Sequence, residues 1–172
     1  LSSLGNSNIL VIVGNCLVDK VENDLKSIHK QYVFFSEFSS NPRYEEVVNG
    51  VNLQKEHNCD VLISIGGGSS IDVAKCIKLF SSLENPLDFT KKEFRYNKIK
   101  HIAIPTSAGT GSESTQIAVI YKEGTKYSVE HGSALPDMAI LDPNFLITLP
   151  TYHKKSTLLD SLCQSIEAFW SR

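Results

Sequence analysis

The 172 residues of the chain suffice for one ordinary domain, or for one domain and part of another. Hydrophobic residues make up 41% of the sequence and charged residues 21%, a composition that excludes a disordered chain. The formal net charge of −2 gives no basic field for nucleic acid, and no apolar stretch is long enough to span a bilayer or to act as a secretory signal. Four scattered cysteines without a CxxC pair favour reduced thiols, so the sequence predicts a cytoplasmic protein without a nucleic-acid or membrane partner.

In the first half of the chain, short apolar runs alternate with segments of helical spacing. Such continuous runs are typical of strands buried on both faces of a parallel sheet, and Pro42 followed by two acids is typical of a helix start. The predicted order is a strand at 8–13, a helix at 17–30, a strand at 31–35, a helix at 41–57, a strand at 60–65 and a helix at 71–80. This order predicts an α/β fold with a Rossmann-like parallel sheet.

The pattern changes after Phe80, where a polar connection begins. Further strands are predicted at 101–106, 116–121, 126–131 and 138–142. From Thr151 onward the spacing is helical again. We therefore expect an α/β domain over 1–150 and the start of an all-α domain over 151–172.

A glycine-rich loop, GGGSS at residues 66–70, lies between the third predicted strand and the following helix. Residues without side chains let a phosphate approach main-chain N–H groups, and a helix that begins near Ser70 directs its positive end at that phosphate. Ligands of open parallel sheets bind at the carboxyl ends of the strands, where this loop lies. The loop is neither GxGxxG nor Walker A, so a turn that serves only close packing remains the alternative.

A second loop of small and hydroxyl-bearing residues, PTSAGTGSE, follows the strand at 101–106 and ends at Glu113. Alone it also suits a solvated turn. Two such loops at one sheet edge favour a binding site, because together they offer groups for a pyrophosphate and for the polar edge of a nicotinamide.

Four motifs occur in the order and spacing of one family: GGGSSIDVAK at 66–75, PTSAGTGSE at 105–113, LPDMAILDP at 135–143 and DSLCQSIEAFWS at 160–171. With them the chain resembles the iron-containing (group III) alcohol dehydrogenases. The resemblance implies an enzyme that reduces aldehydes or oxidises alcohols with NAD(P)(H), often with a divalent metal such as iron or zinc between two domains. It also implies a homodimer and a helical C-terminal domain, of which residues 151–172 would be the first helix.

The resemblance assigns cofactor contacts to several segments. Those implied for the pyrophosphate loop are Gly67, Gly68 and Ser69; those implied for the loop at the diphosphate and nicotinamide are Thr106, Ser107 and Thr110; further contacts are implied for Asn41, Thr115 and Lys126. Asp72 matches a motif acid, although its place near a helix start also suits a plain N-terminal charge.

One departure from the family concerns the cofactor. Many NAD-using members carry an acid just after the first strand, where it binds the adenosine ribose hydroxyls. Gly14 stands at that position here. Without the carboxylate, the repulsion towards a 2′-phosphate is absent, and this favours NADP(H) over NAD(H).

A second departure concerns the metal. The family's metal-bearing helix reads D-x-x-x-H, and here the pair is Asp160 and Gln164. Four residues apart, these side chains share one helix face, but an amide oxygen is a weaker ligand than an imidazole. Cys163 points away from Gln164 and is expected in the core. The remaining histidines are isolated and are expected on the surface or in loops: His29, His57, His101, His131 and His153.

The substrate is less defined than the reaction. The glutamine at 164 and the segment at 35–47 resemble members that act as phosphonoacetaldehyde reductases of phosphonate metabolism. Two other interpretations stay open: a dehydroquinate synthase-like enzyme that uses NAD catalytically, against which PTSAGTGSE argues, and a nucleotide-binding module without chemistry.

Overall fold

The structure, a computed structural model, describes residues 5–27, 31–91 and 93–171. The strands are β1 (Ile9–Val13), β2 (Tyr32–Phe35), β3 (Val61–Gly66), β4 (Lys100–Pro105), β5 (Ile117–Lys122), β6 (Thr125–Glu130) and β7 (Met138–Ala139). The α-helices are α1 (Val18–Lys26), α2 (Tyr44–Glu56), α3 (Gly68–Phe80), α4 (Asn144–Ile147) and α5 (Thr151–Trp170).

A parallel sheet with helices on both faces confirms the predicted α/β, Rossmann-like fold. Its strand order is β2-β1-β3-β4-β7, and every pairing is parallel. Side chains of one sheet face pack with α2 and α3, and those of the other face pack with α1. All five residues of β1 are fully buried, which explains why its sequence is apolar without alternation.

Helix α3 lies between the sheet and an antiparallel hairpin formed by β5 and β6. Ala118 and Ile120 of β5 belong to the same buried cluster as Ile77 and Phe80 of α3. Almost the whole surface of α3 is therefore covered, and its two lysines, Lys75 and Lys78, are buried with the apolar residues. The sequence predicts both hairpin strands but not their separation from the main sheet.

Two predicted elements differ in extent from the observed ones. Helix α3 begins at Gly68 instead of near Ser70, because Gly67 already accepts hydrogen bonds from the first helical N–H groups. The predicted strand at 138–142 pairs with β4 over two residues only. It gives way to α4, whose Asn144 N–H donates to the Asp142 carboxylate at 2.9 Å. The end of the first predicted helix, with His29, lies outside the described residues.

Helix α5 confirms the predicted helix after residue 150 and exposes its length to solvent. Its large apolar residues are uncovered, with Phe169 85% and Trp170 75% exposed. Cys163 is also exposed, so its predicted place in the core is wrong in this structure. Whether α5 begins a separate domain stays a prediction. In the described part of the chain, no helix combines the length and apolar character needed to cross a membrane.

Candidate cofactor and metal site

The two glycine-rich loops leave the sheet side by side. Gly66 at the end of β3 is in register with Pro105 at the end of β4, and the Thr106 N–H donates to the Gly66 carbonyl oxygen at 2.9 Å. A Cβ atom on Gly67 would lie 3.4 Å from the Ser107 Oγ. The shared sheet edge expected from the sequence is thus present, with the predicted residues Gly67, Thr106 and Ser107 at the junction of the loops.

The three glycines have different structural roles. Gly66 has φ +158°, and a Cβ there would lie 2.2 Å from the Ser70 Oγ, so the fold itself requires a glycine. Gly67 has φ −76° and ψ −170°, an extended backbone open to any residue. A Cβ on Gly68 would lie 3.3 Å from the Thr110 Cγ2, which is tight. Close packing therefore explains Gly66 and part of Gly68, but not Gly67.

The N-terminus of α3 is suited to an anion. Among the described residues, no side chain caps this helix and its first turn contains no acid. Its positive end, raised by the aligned peptide dipoles, faces the space above the loop. A phosphate or a carboxylate at this position would be stabilised by the exposed main-chain N–H groups.

The segment with Asn41 is held against the same helix end. The Glu46 carboxylate accepts hydrogen bonds from the Arg43 N–H at 2.8 Å and from the Ser39 N–H at 3.2 Å. The Ser69 hydroxyl donates to the carbonyl oxygen of Ser40. Asn41 is thereby fixed beside the glycine loop, and its contact with the cofactor stays a prediction.

A cavity of about 570 Å³ opens between these segments, the β5–β6 hairpin and α5. The predicted residues that line it are Asn41, Gly68, Ser69, Thr110, Thr115, Lys126 and Asp160. Lys126 reaches it because it pairs with Tyr121 across the hairpin, and the Tyr121 N–H donates to the Pro42 carbonyl oxygen at 2.8 Å. Residues far apart in the sequence thus meet around one polar space.

A second cavity, of about 260 Å³, adjoins the loop after β4 and is mainly apolar. Ser107 lines it, together with Leu141, Pro143 and Leu146. Gly14 lies at the end of β1 with φ −65° and ψ 143°, and a Cβ atom there would meet nothing within 4 Å. Among the predicted cofactor residues, Gly14, Gly67 and Thr106 line neither cavity in the described structure.

Beneath the larger cavity lies a buried polar cluster that the sequence analysis missed. Lys75, with no exposed surface, donates to the Ser112 Oγ at 3.0 Å and to the Thr115 Oγ1 at 3.1 Å. Asp72 accepts from the Ser112 hydroxyl at 2.6 Å and from the Val119 N–H at 3.1 Å, so it is more than an N-terminal charge. The available signal was a lysine inside an otherwise apolar helix, which requires partners.

Burial shapes the electrostatics of this cluster. Desolvation raises the pKa of Asp72, although hydrogen bonds from Ser112 and Val119 and the nearby Lys75 oppose the rise. Desolvation likewise lowers the pKa of Lys75, and the Asp72 carboxylate, 3.9 Å from the ammonium nitrogen, opposes that change. Each group therefore stabilises the charged form of the other.

The proposed metal pair lies together on α5. The Gln164 amide nitrogen donates to Asp160 Oδ2 at 3.1 Å, and Asp160 lines the larger cavity. These two residues offer one carboxylate and one amide oxygen. The described residues contain no group of three or more His, Cys, Asp or Glu side chains that could hold a metal. A divalent ion takes at least four ligands, so the pair fits only part of a coordination sphere.

One expectation about the histidines is wrong. His101 is fully buried in β4, with its Nε2 2.8 Å from the Ser64 Oγ. Burial, together with the neighbouring Lys78, lowers the pKa of His101 to about 3. Because Ser64 and His101 lie on adjacent strands, their contact depends on strand order that the sequence does not display. His57 and His153 are exposed, as expected.

These features define a Rossmann-like α/β domain with a polar cleft at the carboxyl edge of its sheet. The chain belongs to the iron-containing alcohol dehydrogenase family, whose model matches residues 1–143. A relative is the NADPH-dependent butanol dehydrogenase of Clostridium saccharobutylicum, 33% identical over 180 residues that cover 96% of this chain and 46% of that protein. The 1-propanol dehydrogenase of Citrobacter freundii is 33% identical over 178 residues, 99% of this chain and 45% of that protein.

Solved structures agree with the fold. The sulfoacetaldehyde reductase of Bifidobacterium kashiwanohense in complex with NAD+ superimposes with a TM-score of 0.90 at 29% identity, over 98% of this chain and 47% of that chain. The chain thus spans about half the length of the relatives it matches.

Proposed function

We propose that this chain is the cofactor-binding part of an NAD(P)H-dependent alcohol dehydrogenase or aldehyde reductase. The observation that carries the proposal is the 570 Å³ cavity, which joins the N-terminus of α3, the loop with Thr110 and Thr115, and Asp160 of α5. Such a cleft brings a dinucleotide site and a carbonyl site together. Hydride transfer between a nicotinamide and an aldehyde requires that juxtaposition.

In the proposed complex, the diphosphate lies over Gly67, Gly68 and Ser69 at the positive end of α3. The nicotinamide end extends along the larger cavity, past Thr110 and towards α5. The smaller cavity, lined by Ser107 and apolar side chains, has the shape and polarity for the adenine end.

We further propose that the protein prefers NADP(H). Position 14 carries no carboxylate that would repel a 2′-phosphate, and a Cβ atom there would meet nothing within 4 Å. The family implies a nicotinamide cofactor, and its relatives include both an NADPH-dependent enzyme and one with bound NAD+. The preference therefore rests on the charge at position 14.

For the metal, we propose a divalent ion held more loosely than in the family's Asp–His pair. Asp160 would supply an anionic oxygen and Gln164 a neutral one, with further ligands from outside these residues. Such an ion, when bound, supplies a Lewis acid to the carbonyl oxygen. The residues of this chain orient the cofactor and the substrate around that point.

The proposed substrate is a small aldehyde or its alcohol, with phosphonoacetaldehyde as a specific candidate. One relative reduces sulfoacetaldehyde, a similarly anionic small aldehyde.

Exposed apolar residues on α5, among them Phe169 and Trp170, are suited to packing on a helical C-terminal domain and support the proposed division near residue 150. We also propose that the intact protein is a cytoplasmic homodimer.

The experiment is an aldehyde-reduction assay with the full protein. NADPH or NADH oxidation is followed at 340 nm with butanal, propanal, phosphonoacetaldehyde and sulfoacetaldehyde, before and after metal chelation. NADPH-dependent turnover is the expected result. Tight cofactor binding without turnover of any aldehyde or alcohol would favour a nucleotide-binding module, and absence of cofactor binding in a folded protein would refute the proposal.

A further inference from the structure

Lys75 occupies an unusual position for a lysine: the middle of a buried helix, with no exposed surface. Its Nζ donates hydrogen bonds to three oxygens. They are the Ser112 Oγ at 3.0 Å, the Thr115 Oγ1 at 3.1 Å and the Ile117 carbonyl oxygen at 2.7 Å. These contacts tie the helix that follows the glycine loop to the segment that follows the second loop.

The number of N–H donors on Lys75 indicates that its side chain is a charged ammonium group. A lysine ammonium has three N–H donors and no acceptor, so it satisfies each of the three oxygens once. The Asp72 carboxylate, 3.9 Å away, supplies the compensating charge. A neutral amine has only two N–H groups and would leave one of the three oxygens without its hydrogen bond from Lys75.

The direction of the two hydroxyl protons follows from this arrangement. The Ser112 Oγ accepts from Lys75, and its own proton goes to Asp72 Oδ1 at 2.6 Å. The Thr115 Oγ1 also accepts from Lys75. In the part of the chain that the structure describes, the Thr115 hydroxyl has no second partner, and Thr115 lines the 570 Å³ cavity. Because no described protein group accepts its proton, the Thr115 hydroxyl can donate that proton to a ligand in the cavity.

We propose that Lys75 is a positioning residue that holds the Thr115 hydroxyl as a hydrogen-bond donor to an acceptor oxygen of the bound dinucleotide. This inference rests on the proposed function of the cavity. Lys75 itself is buried below the cavity surface and does not line it. Its effect on the cofactor is transmitted through the Thr115 hydroxyl.

A double-mutant cycle in the full protein tests the coupling. Fluorescence titration gives the Kd for NADPH in the wild type, Lys75→Met, Thr115→Val and the double variant. Each single change should weaken binding about tenfold, the scale of one hydrogen bond to a ligand. In the Thr115→Val background, Lys75→Met should add less than about twofold, because the hydroxyl that it orients is gone. Thr115→Ser, which keeps the hydroxyl group, should bind NADPH with a Kd within about threefold of the wild-type value.

Lys78→Met is the matched control. Lys78 lies one turn further along α3, is also buried, and pairs with Asp137 at 2.8 Å, outside the cofactor cavity. The Lys78→Met variant should have a lower unfolding temperature than the wild type but the same Kd for NADPH. Full and equal losses of affinity from Lys75→Met in both Thr115 backgrounds would overturn the proposal while leaving the proposed function intact. A folded wild type that binds neither NADPH nor NADH would overturn both.

A second measurement does not depend on the stability of the Lys75 variant. In ¹⁵N-lysine-labelled wild-type protein, Lys75 should give an ammonium NH₃⁺ resonance at neutral pH, with slow proton exchange and contacts to the Thr115 methyl group. A neutral amine resonance would overturn the proposal, since two N–H donors leave the orientation of the Thr115 proton undefined.

Discussion

Substitution of Gly67, the middle glycine of the GGG loop, should weaken cofactor binding with little change in the stability of the fold. For Gly67→Ala, the extended backbone accepts a side chain, and the nearest atom to the new Cβ is the Ser107 Oγ at 3.4 Å. Alanine lowers the conformational entropy of the unfolded chain, which stabilises the folded protein by about 0.4–1 kcal/mol. Alanine is also a poorer N-cap residue than glycine, which costs a similar amount of stability. The free energy of unfolding should therefore stay within about 0.5 kcal/mol of the wild type.

Cofactor binding should respond differently. The added methyl group occupies the gap between the two loops, where the proposed diphosphate approaches the main-chain N–H groups. Loss of one hydrogen bond to a charged group costs about 1.5–3 kcal/mol, which corresponds to a roughly 10- to 150-fold rise in the Kd for NADPH. Fluorescence titration measures the Kd, and urea denaturation measures the stability of the same samples.

Gly66→Ala is the contrasting variant. Its Cβ would overlap the Ser70 Oγ at 2.2 Å, Ser70 is buried, and φ at this position is +158°. This change should cost stability, by about 1–3 kcal/mol or more. If Gly67→Ala binds NADPH as well as the wild type, the argument that a ligand requires this glycine is refuted.

Four further predictions concern separate parts of the molecule. Gly14→Asp, which meets no steric obstacle, should shift the ratio of kcat/KM values towards NADH by about 1–3 kcal/mol through repulsion of the 2′-phosphate. Gln164→His should tighten metal binding about 10- to 100-fold by calorimetry, and Asp160→Ala should abolish it. The pKa of His101 is lowered to about 3 in the folded state, against about 6.5 unfolded, so its contribution to stability is complete above pH 6.5 and is lost as the pH falls. Denaturation should show a loss of about 2 kcal/mol between pH 7 and pH 5, smaller in His101→Leu. The apolar face of α5 should make the isolated 172-residue chain self-associate and bind a hydrophobic dye in light-scattering and fluorescence measurements.

Each of these predictions has a contradicting result. Unchanged cofactor preference in Gly14→Asp would remove the basis for NADP(H). Full activity of a metal-free preparation, with Asp160→Ala still active, would show that the reaction proceeds without the metal. An equal pH dependence in His101→Leu would assign the acid sensitivity to other groups. A monodisperse chain without dye binding would show that the α5 face is covered.

The parallel sheet could be predicted because its strands are buried on both faces and therefore read as continuous apolar runs, as in β1. The loops at its carboxyl edge could be predicted for the same reason, since each follows such a run. The Lys75 cluster could not, because Ser112 and Thr115 lie about forty residues away along the chain. Burial of His101 depends in the same way on Ser64 in a neighbouring strand.

The remaining differences between the predicted and the observed elements depend on local hydrogen bonds at the ends of β7 and α3. The apolar run at 138–142 predicts a longer strand than β7, but the pairing ends after two residues, and the Asp142 carboxylate accepts a hydrogen bond from the Asn144 N–H at the start of α4. Helix α3 starts earlier than its apolar periodicity indicates, because the Gly67 carbonyl oxygen already accepts hydrogen bonds from the Ser70 and Ile71 N–H groups. Both differences arise at element ends, where single side chains and backbone angles decide the outcome.

A crystal structure of the full protein with NADPH tests the central claim most directly. The diphosphate should lie over the N-terminus of α3, within hydrogen-bond distance of the Gly67 and Gly68 N–H groups, and the nicotinamide should lie in the cavity between Thr115 and Asp160. A dinucleotide bound elsewhere, or a soaked crystal in which this cleft stays empty at saturating NADPH, would contradict it.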